Sequence, residues 1–483
     1  MKTTRRQVLS AAAGMAAAPL PAPAQSPIPI GSRRELFIDE SLIDEFRHTT
    51  LRLQQPRRED AALVLDRPWE GAFSNYVTVL RDGDEYRLYY RGVPEAGKDL
   101  TTAETTSYAV SKDGKHFTRP NLGLFEYKGS RENNLILAGM PPFSSNFSPF
   151  IDTRPGVPAS QRYKALAGTQ KSGLVAFQSA DGIHWKKLRE EPVFRDGVFD
   201  SQNLAFWSES EGKYVMYFRT FKPVGSKRYR WISRTTSDDF INWTPPVDMT
   251  FGDAPPEHLY VNQTHPYFRA PHIYIGLAAR FMPGRQVMST DEAKSLGVNP
   301  GYYKDCADVV LLTTRGGSAY NRTFLEAFLR PGLGVENWVS RNNYPALNTV
   351  QTGKDELSFY TLSNYGQPGT HLRRYSLPLD RFASINAGYR GGEVITRPIS
   401  FTGSRLFLNY STSAPGGIRI EIQDENMQPI KGYALEDSVE LIGDQIERAV
   451  RWKGGPDVSA LAGKPVRLRM ALKDADVFAL RFG

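Results

Sequence analysis

Ser111-Lys112-Asp113-Gly114-Lys115-His116-Phe117 and Ser179-Ala180-Asp181-Gly182-Ile183-His184-Trp185 are two copies of one phrase. A looser copy runs Ser237-Asp238-Asp239-Phe240-Ile241-Asn242-Trp243, and a degraded one Thr314-Arg315-Gly316-Gly317-Ser318-Ala319-Tyr320. The Asp-Gly pair supplies the turn of a hairpin, and the aromatic residue after it starts the returning strand. The copies lie about 60 to 80 residues apart, which suits one four-stranded propeller blade each, with insertions.

A second series interleaves with the first. Alternating aromatic strands fall at residues 86–90, 163–167, 214–218, 273–277 and 357–361. Each follows a turn and another strand, at 76–80, 149–153, 203–207, 264–268 and 344–350. Strand, turn, aromatic strand and hairpin thus recur five times, an order not expected of a sandwich. The fold class is all-β, a five-bladed β-propeller, with a six-bladed ring as the alternative. After the Gly-rich connection 386–392 the blade phrase stops. Alternation continues at 405–410, 418–422, 466–470 and 477–481, which predicts a C-terminal β-sandwich. The expected division is a leader over 1–24, a propeller over 33–388 and a sandwich over 393–483. A helix is expected at 290–295, in an insertion within blade four.

The totals agree with an all-β chain. The 483 residues include 41 Gly, 33 Pro, 23 Tyr and 26 Phe, favouring short strands and turns over long helices. The net charge of +8 comes from scattered Lys and Arg, three of them in the leader, so no nucleic-acid partner is expected. A single cysteine, Cys306, excludes an internal disulfide and a cysteine-based metal site. The N-terminus places Arg5-Arg6 before an Ala-rich stretch and then Ala22-Pro23-Ala24, a cleavage pattern ahead of Gln25. It resembles a twin-arginine export signal, which predicts a periplasmic or secreted protein. No cysteine directly follows the leader, so no lipid or membrane anchor is expected.

In a propeller the first strand of each blade lines the central channel. The polar residues on or just before those strands are the candidates for ligand contact: Ser74 and Asn75; Asp152; Asp200, Gln202 and Asn203; Glu257, His258, Asn262, Gln263 and His265; and Arg341, Asn342 and Asn343. Arg269 joins them as a substrate contact or a partner of Glu257. Carboxylates, amides, His and Arg from five blades suit a hydroxyl-rich ligand, an oligosaccharide or polysaccharide. Trp69, Trp207 and Tyr76 are candidates for stacking on sugar faces, with core packing the alternative. No metal site or cofactor is expected; a channel-bound cation such as calcium near His265 stays open as an alternative to a buried structural histidine.

At these residues the chain resembles the five-bladed glycoside hydrolases of the invertase/levanase (family 32) and arabinanase/xylosidase (family 43) groups. It more closely resembles a bacterial family-32-like group through Leu36-Phe37-Ile38-Asp39, Glu257-His258-Leu259-Tyr260 and Arg341-Asn342-Asn343-Tyr344-Pro345. The resemblance implies three channel acids. Asp152, in Phe150-Ile151-Asp152-Thr153-Arg154-Pro155, falls where the transition-state stabiliser of those families lies, and Asp200 where their general acid lies. Glu257 is the third candidate, because Asn75 stands where the nucleophile belongs. Each acid has a structural alternative: Asp152 and Asp200 as local caps, and Glu257 as a partner of Arg269 or Arg280. Glycoside hydrolysis needs one carboxyl to protonate the leaving oxygen and another to attack or to activate water. The reading is therefore a glycoside hydrolase. A carbohydrate-binding propeller without catalysis and a sialidase-like hydrolase are its alternatives, the last disfavoured by a shorter hairpin phrase and no evident arginine triad.

Overall fold

The strand Glu85–Gly92 illustrates how this sequence builds a ring. Tyr86, Leu88 and Tyr90 pack on Tyr360 and Leu362 of the last blade. Tyr89, on the opposite face, packs with Tyr163, Ala165 and Phe177 of the next blade. Strand side chains alternate faces, so a run with apolar residues on both faces belongs to a strand covered on both sides. The pattern repeats. Met216 and Phe218 face blade two, whereas Val215 and Tyr217 face blade four. Ile273, Ile275 and Leu277 pack on Leu357 and Phe359. Five inter-blade cores of this kind close a five-bladed ring.

This computed structural model describes residues 26–483; the expected leader lies outside the described residues. Blade one holds Asn75–Asp82, Glu85–Gly92, Thr105–Ser111 and Leu135–Ala138, and blade two Ser148–Ile151, Tyr163–Thr169, Gly173–Ser179 and Lys186–Lys187. Blade three is Leu204–Ser208, Lys213–Val224, Lys227–Ser237 and Val247–Asp248. Blade four has three strands, Thr264–Tyr267, Ala270–Met282 and Cys306–Thr314. Its fourth position is reduced to a bridge between Val309 and Leu329; Pro331, just beyond it, has no N–H to extend a ladder. Blade five combines Val350–Gln351, Glu356–Ser363 and His371–Pro378 with Arg57–Val64 from the other end of the chain.

The repeated phrase does more than turn the chain. Ser111 Oγ accepts from Gly114 N at 2.9 Å, and Asp113 Oδ1 accepts from Lys115 N and His116 N at 2.7 and 3.0 Å. Gly114 is left-handed at φ +69°, and an added Cβ would meet Thr352 of blade five at 2.7 Å. The turn is thus wedged against the preceding blade. In the third copy Phe240 adopts the same left-handed conformation without a glycine's freedom. It is fully buried, with its ring 5.2 Å from Tyr214 and 5.5 Å from Phe150.

The expected helix is Thr290–Ser295, opened by a capping box between Ser289 and Glu292. The C-terminal sandwich is built on two long strands, Leu406–Gln423 and Arg467–Phe482, that bend and serve both layers. Their register shifts between Thr412 and Gly417, where a Cβ on Gly416 would lie 2.5 Å from Asp474 O.

The division of the chain differs from expectation at its start. Residues 28–53, of which 33 onward were expected in the propeller, supply four strands that pair with Ile399–Phe401, Arg467–Phe482, Gly392–Thr396 and Ala383–Ala387. Leu36-Phe37-Ile38-Asp39 joins the two bodies. Leu36 and Ile38 enter the core shared with blades four and five. Glu35 bonds Arg315 at 2.6 Å and His272 at 3.1 Å on blade four. Burial opposes the charge of Glu35, but His272 and Arg315 outweigh it and hold the carboxyl down at about 2. Removing one partner of a buried ion pair leaves the others uncompensated, so Glu35→Gln should cost about 3 kcal/mol of unfolding free energy. Denaturant titration of the two proteins checks this, and equal midpoints would refute it.

Candidate functional site at the channel mouth

The first strands run in one direction around the channel, so residues before them gather at one mouth and residues after them at the other. The entry mouth is conformationally strained. Tyr76, Phe199, Gln263, Arg341 and Asn343 all have positive φ, between 41° and 63°. Each costs on the order of 1–3 kcal/mol, a cost that clusters at functional sites. Here it turns the chain sharply into the first strand.

A cavity of about 680 Å³ opens at this mouth, lined by Tyr76, Arg91, Asp99, Asp200, Tyr260 and Arg341 among others. Deeper in the channel a bar of amides crosses it. Gln263 Nε2 donates to Gln202 Oε1 at 2.6 Å and to Pro345 O at 2.8 Å, and Gln202 Nε2 donates to Thr78 Oγ1 at 3.0 Å. Blades one, three, four and five are thereby tied together, and Gln202 is a structural residue.

Asp200 projects into this mouth with its side chain 55% exposed, ion-paired with the buried Arg219. Its loop is fixed from two sides. Tyr76 Oη donates to Asp200 O at 3.0 Å, and Asn146 Nδ2 donates to Phe199 O at 2.6 Å and Ser201 O at 3.1 Å. Across the cavity Asp99 pairs with Arg91 at 3.3 Å and is 40% exposed. Arg91 also reaches the buried Glu104 at 3.4 Å, whose carboxyl burial pushes up against the pull of Arg91. Tyr260 stands among three guanidiniums: Arg219 at 4.5 Å, Arg230 at 4.9 Å and Arg341 at 5.9 Å from its ring. Burial would raise its hydroxyl, yet Arg341, Arg219 and Arg230 together bring it below the ordinary phenol value. Tyr76, buried and beside Tyr260, is pushed up instead.

The other expected site residues lie elsewhere or serve the frame. Asp152 follows its strand, so it stands at the opposite mouth from Asp200; it bonds Lys164 and accepts from Tyr214 Oη at 2.6 Å. It also caps the next turn through Arg154 N at 3.0 Å. Both oxygens of Glu257 are occupied, by Arg280 at 2.9 Å and Arg322 at 3.0 Å. They border a larger cavity of about 960 Å³ beside blade four, outside the channel mouth. Arg269 joins the propeller to the sandwich through Asp380 at 3.3 Å. Asn75 is buried and its Oδ1 accepts from Tyr76 N at 2.7 Å; Asn203 donates to Ser201 O at 3.0 Å. Asn262 accepts from Thr264 N at 3.1 Å, and Asn342 donates to Glu336 O at 2.7 Å. Trp207 lines a cavity at the exit mouth, and Trp69 donates to Asn134 at 2.8 Å. Asp200, Tyr76 and Arg341 are the candidates that meet at one cavity.

Asp99 and Arg91, which also line it, were not among them, and neither were Arg219 and Arg230 behind Tyr260, since none belongs to a first strand. One signal was available. Tyr89-Tyr90-Arg91 and Tyr217-Phe218-Arg219 each end the apolar run of a second strand in arginine, placing a cation at or beside the entry mouth in two blades. Among the described residues no group of three His, Cys, Asp or Glu is placed to hold a metal ion, and no helix is long and apolar enough to cross a membrane.

No protein-family model matches the chain, and no curated protein matches its sequence. Solved structures to which it is similar include an N-acetylgalactosamine deacetylase from F. plautii in complex with blood group B trisaccharide. That match has 12% identity and a TM-score of 0.43, covering 69% of this chain and 96% of the other. Another is β-1,2-mannobiose phosphorylase from Listeria innocua, at 12% identity and TM-score 0.44, covering 68% and 98%. A third is a fructofuranosidase from Schwanniomyces occidentalis complexed with fructosylnystose, at 11% and 0.38, covering 87% and 97%. Likenesses this distant carry no argument about the activity of this chain.

His265 closes the channel below the mouth. Its Nδ1 faces Gln263 O at 2.8 Å, and its Nε2 accepts from Thr349 N at 3.0 Å, so both ring nitrogens are engaged. Burial lowers it to about 4 from 6.5. The unfolded chain therefore binds the proton first, and the stability due to a neutral His265 is complete above pH 6.5 and lost as pH falls toward 4. The loss amounts to about 3 kcal/mol. His265→Gln should flatten the dependence of unfolding free energy on pH between 6.5 and 4; an unchanged slope would refute this.

Proposed function

We propose that the entry mouth is a glycoside site and that the chain hydrolyses glycosidic bonds there. The observation that carries this reading is that two solvent-exposed carboxyls from different blades, Asp99 and Asp200, line one cavity that also holds the rings of Tyr76 and Tyr260. Hydrolysis needs two carboxyls flanking the scissile bond, and aromatic faces suit sugar rings. Asp200, ion-paired with Arg219, takes the charged role of nucleophile or base; Asp99 protonates the leaving oxygen. This reverses the acid role that the resemblance gives Asp200. Asp200→Asn and Asp99→Asn should each lower kcat at least about 100-fold on a cleaved glycoside while leaving sugar binding measurable. Full activity in either variant would overturn the assignment. One observation favours a binding role instead: each carboxyl already has an arginine partner. Sugar binding without turnover across a panel of aryl glycosides and oligosaccharides would decide for it.

Export belongs to the same proposal. Arg5-Arg6, the Ala-rich stretch and Ala22-Pro23-Ala24 support passage through a twin-arginine route to the periplasm or beyond. N-terminal sequencing of the exported protein should begin near Gln25, and replacing both arginines by lysine should retain the chain in the cytoplasm. A start at Met1 in extracytoplasmic material would refute it.

A further inference from the structure

We infer that the sugar bound at the entry mouth carries a carboxylate. The inference rests on the glycoside reading of that mouth and adds the class of substrate. Arg219, Arg230 and Arg341 surround one tyrosine ring, and Asp200 is the only carboxylate that pairs with any of them among the described residues. Arg91, across the cavity, is matched by Asp99 and Glu104, so its charge is already balanced.

Arg230 and Arg341 have no such balance. Arg341 donates through Nη1 to Tyr365 Oη at 2.6 Å and lies over the rings of Tyr302 and Tyr365, at 5.2 and 5.3 Å. Aromatic faces hold a guanidinium in place without neutralising it. The backbone of Arg341 is left-handed at φ +63°, a conformation that its side chain gains nothing from locally. Arg219, 3% exposed, keeps Nε and Nη1 without any hydrogen-bond partner, and Arg230 keeps Nε so. Gathering partly buried like charges is unfavourable unless an anion joins them. A planar carboxylate matches the fork of a guanidinium in geometry as well as in charge. Lys171 on the cavity rim adds to the positive field.

Neutral sugars give no reason for this excess, because hydroxyl groups are satisfied by amides and single carboxylates. A uronic or nonulosonic acid residue does: its ring lies against Tyr260 or Tyr76 and its carboxylate meets Arg341, the one of the three arginines that lines the cavity, with Arg219 and Arg230 behind Tyr260 adding to the positive field. The anchoring is by binding alone, and holds whether or not Asp99 and Asp200 turn the ligand over.

Calorimetric binding to the full chain tests it. The probes are disaccharides containing galacturonate, glucuronate or N-acetylneuraminate, each beside its methyl ester, which keeps the shape and removes the charge. At least one acid should bind at least about ten-fold more tightly than its ester at low salt, and the gap should narrow as ionic strength rises. Arg341→Gln should reduce the acid's affinity more than the ester's and so narrow the gap between them. Arg341→Lys, which keeps the charge, should recover part of the loss and serves where the glutamine variant does not fold. Equal affinity for every acid and ester, or binding of none, overturns the inference. Tighter binding of a sulfated counterpart than of any carboxylated sugar also overturns it, by assigning the pocket to sulfate. Anion-selective binding without hydrolysis would sustain this inference while removing the hydrolase reading.

Discussion

The antiparallel pairing of Arg57–Val64 with His371–Pro378 is the constraint on which the rest of the molecule depends. It joins the first propeller strand of the chain to the last blade and so converts five sheets into a closed ring. Without it, the inter-blade core of Val77, Tyr86, Leu88, Tyr360 and Leu362 would have no opposite wall. The same strand fixes the sandwich, because the residues before it, 28–53, are threaded through the C-terminal sheet. Glu35, Asp39 and Asp380 then lock that sheet to blade four through Arg315, His272 and Arg269.

A ring held at its rim leaves the channel to be finished from within. The amides of Gln202 and Gln263 bar it, and His265 seats below them in a fixed tautomer. What remains is a shallow cup on one side, walled by tyrosines and arginines. Its shape is owed to left-handed backbone at four blades, a cost that packing alone gives no cause to maintain. The cup is where geometry, charge and strain coincide.

How much of this was legible in the sequence follows from how local each signal is. The blades were legible because each hairpin phrase and each aromatic strand meets its partner within a few residues across a turn, as Ser111 with Gly114 and Thr169 with Gly173 show. The closure was not, since Arg57–Val64 shows no aromatic alternation and its partner is at the far end of the chain. The site was legible in part. Asp200 and Arg341 precede first strands, and that rule placed them at the mouth; Tyr76, near the start of the first strand of blade one, was a candidate for stacking. Asp152 failed the rule by following a strand of four residues rather than preceding it, and Asn146 holds the corresponding position in blade two. Arg91 and Arg219 lie on second strands, where attention to first strands alone could not find them.

Gly31 O accepts from Thr402 N, and Gly483 bonds Arg405, so the first described strand and the last residue meet on one small sheet region. Folding order follows from that. The chain cannot finish its oldest part until much later segments have been made: Arg57–Val64 waits for His371–Pro378, and the strands within 28–53 wait for partners between 383 and 480. Open strand edges invite pairing between molecules, and contacts between distant segments form slowly. A chain wired this way matures as a whole rather than piece by piece.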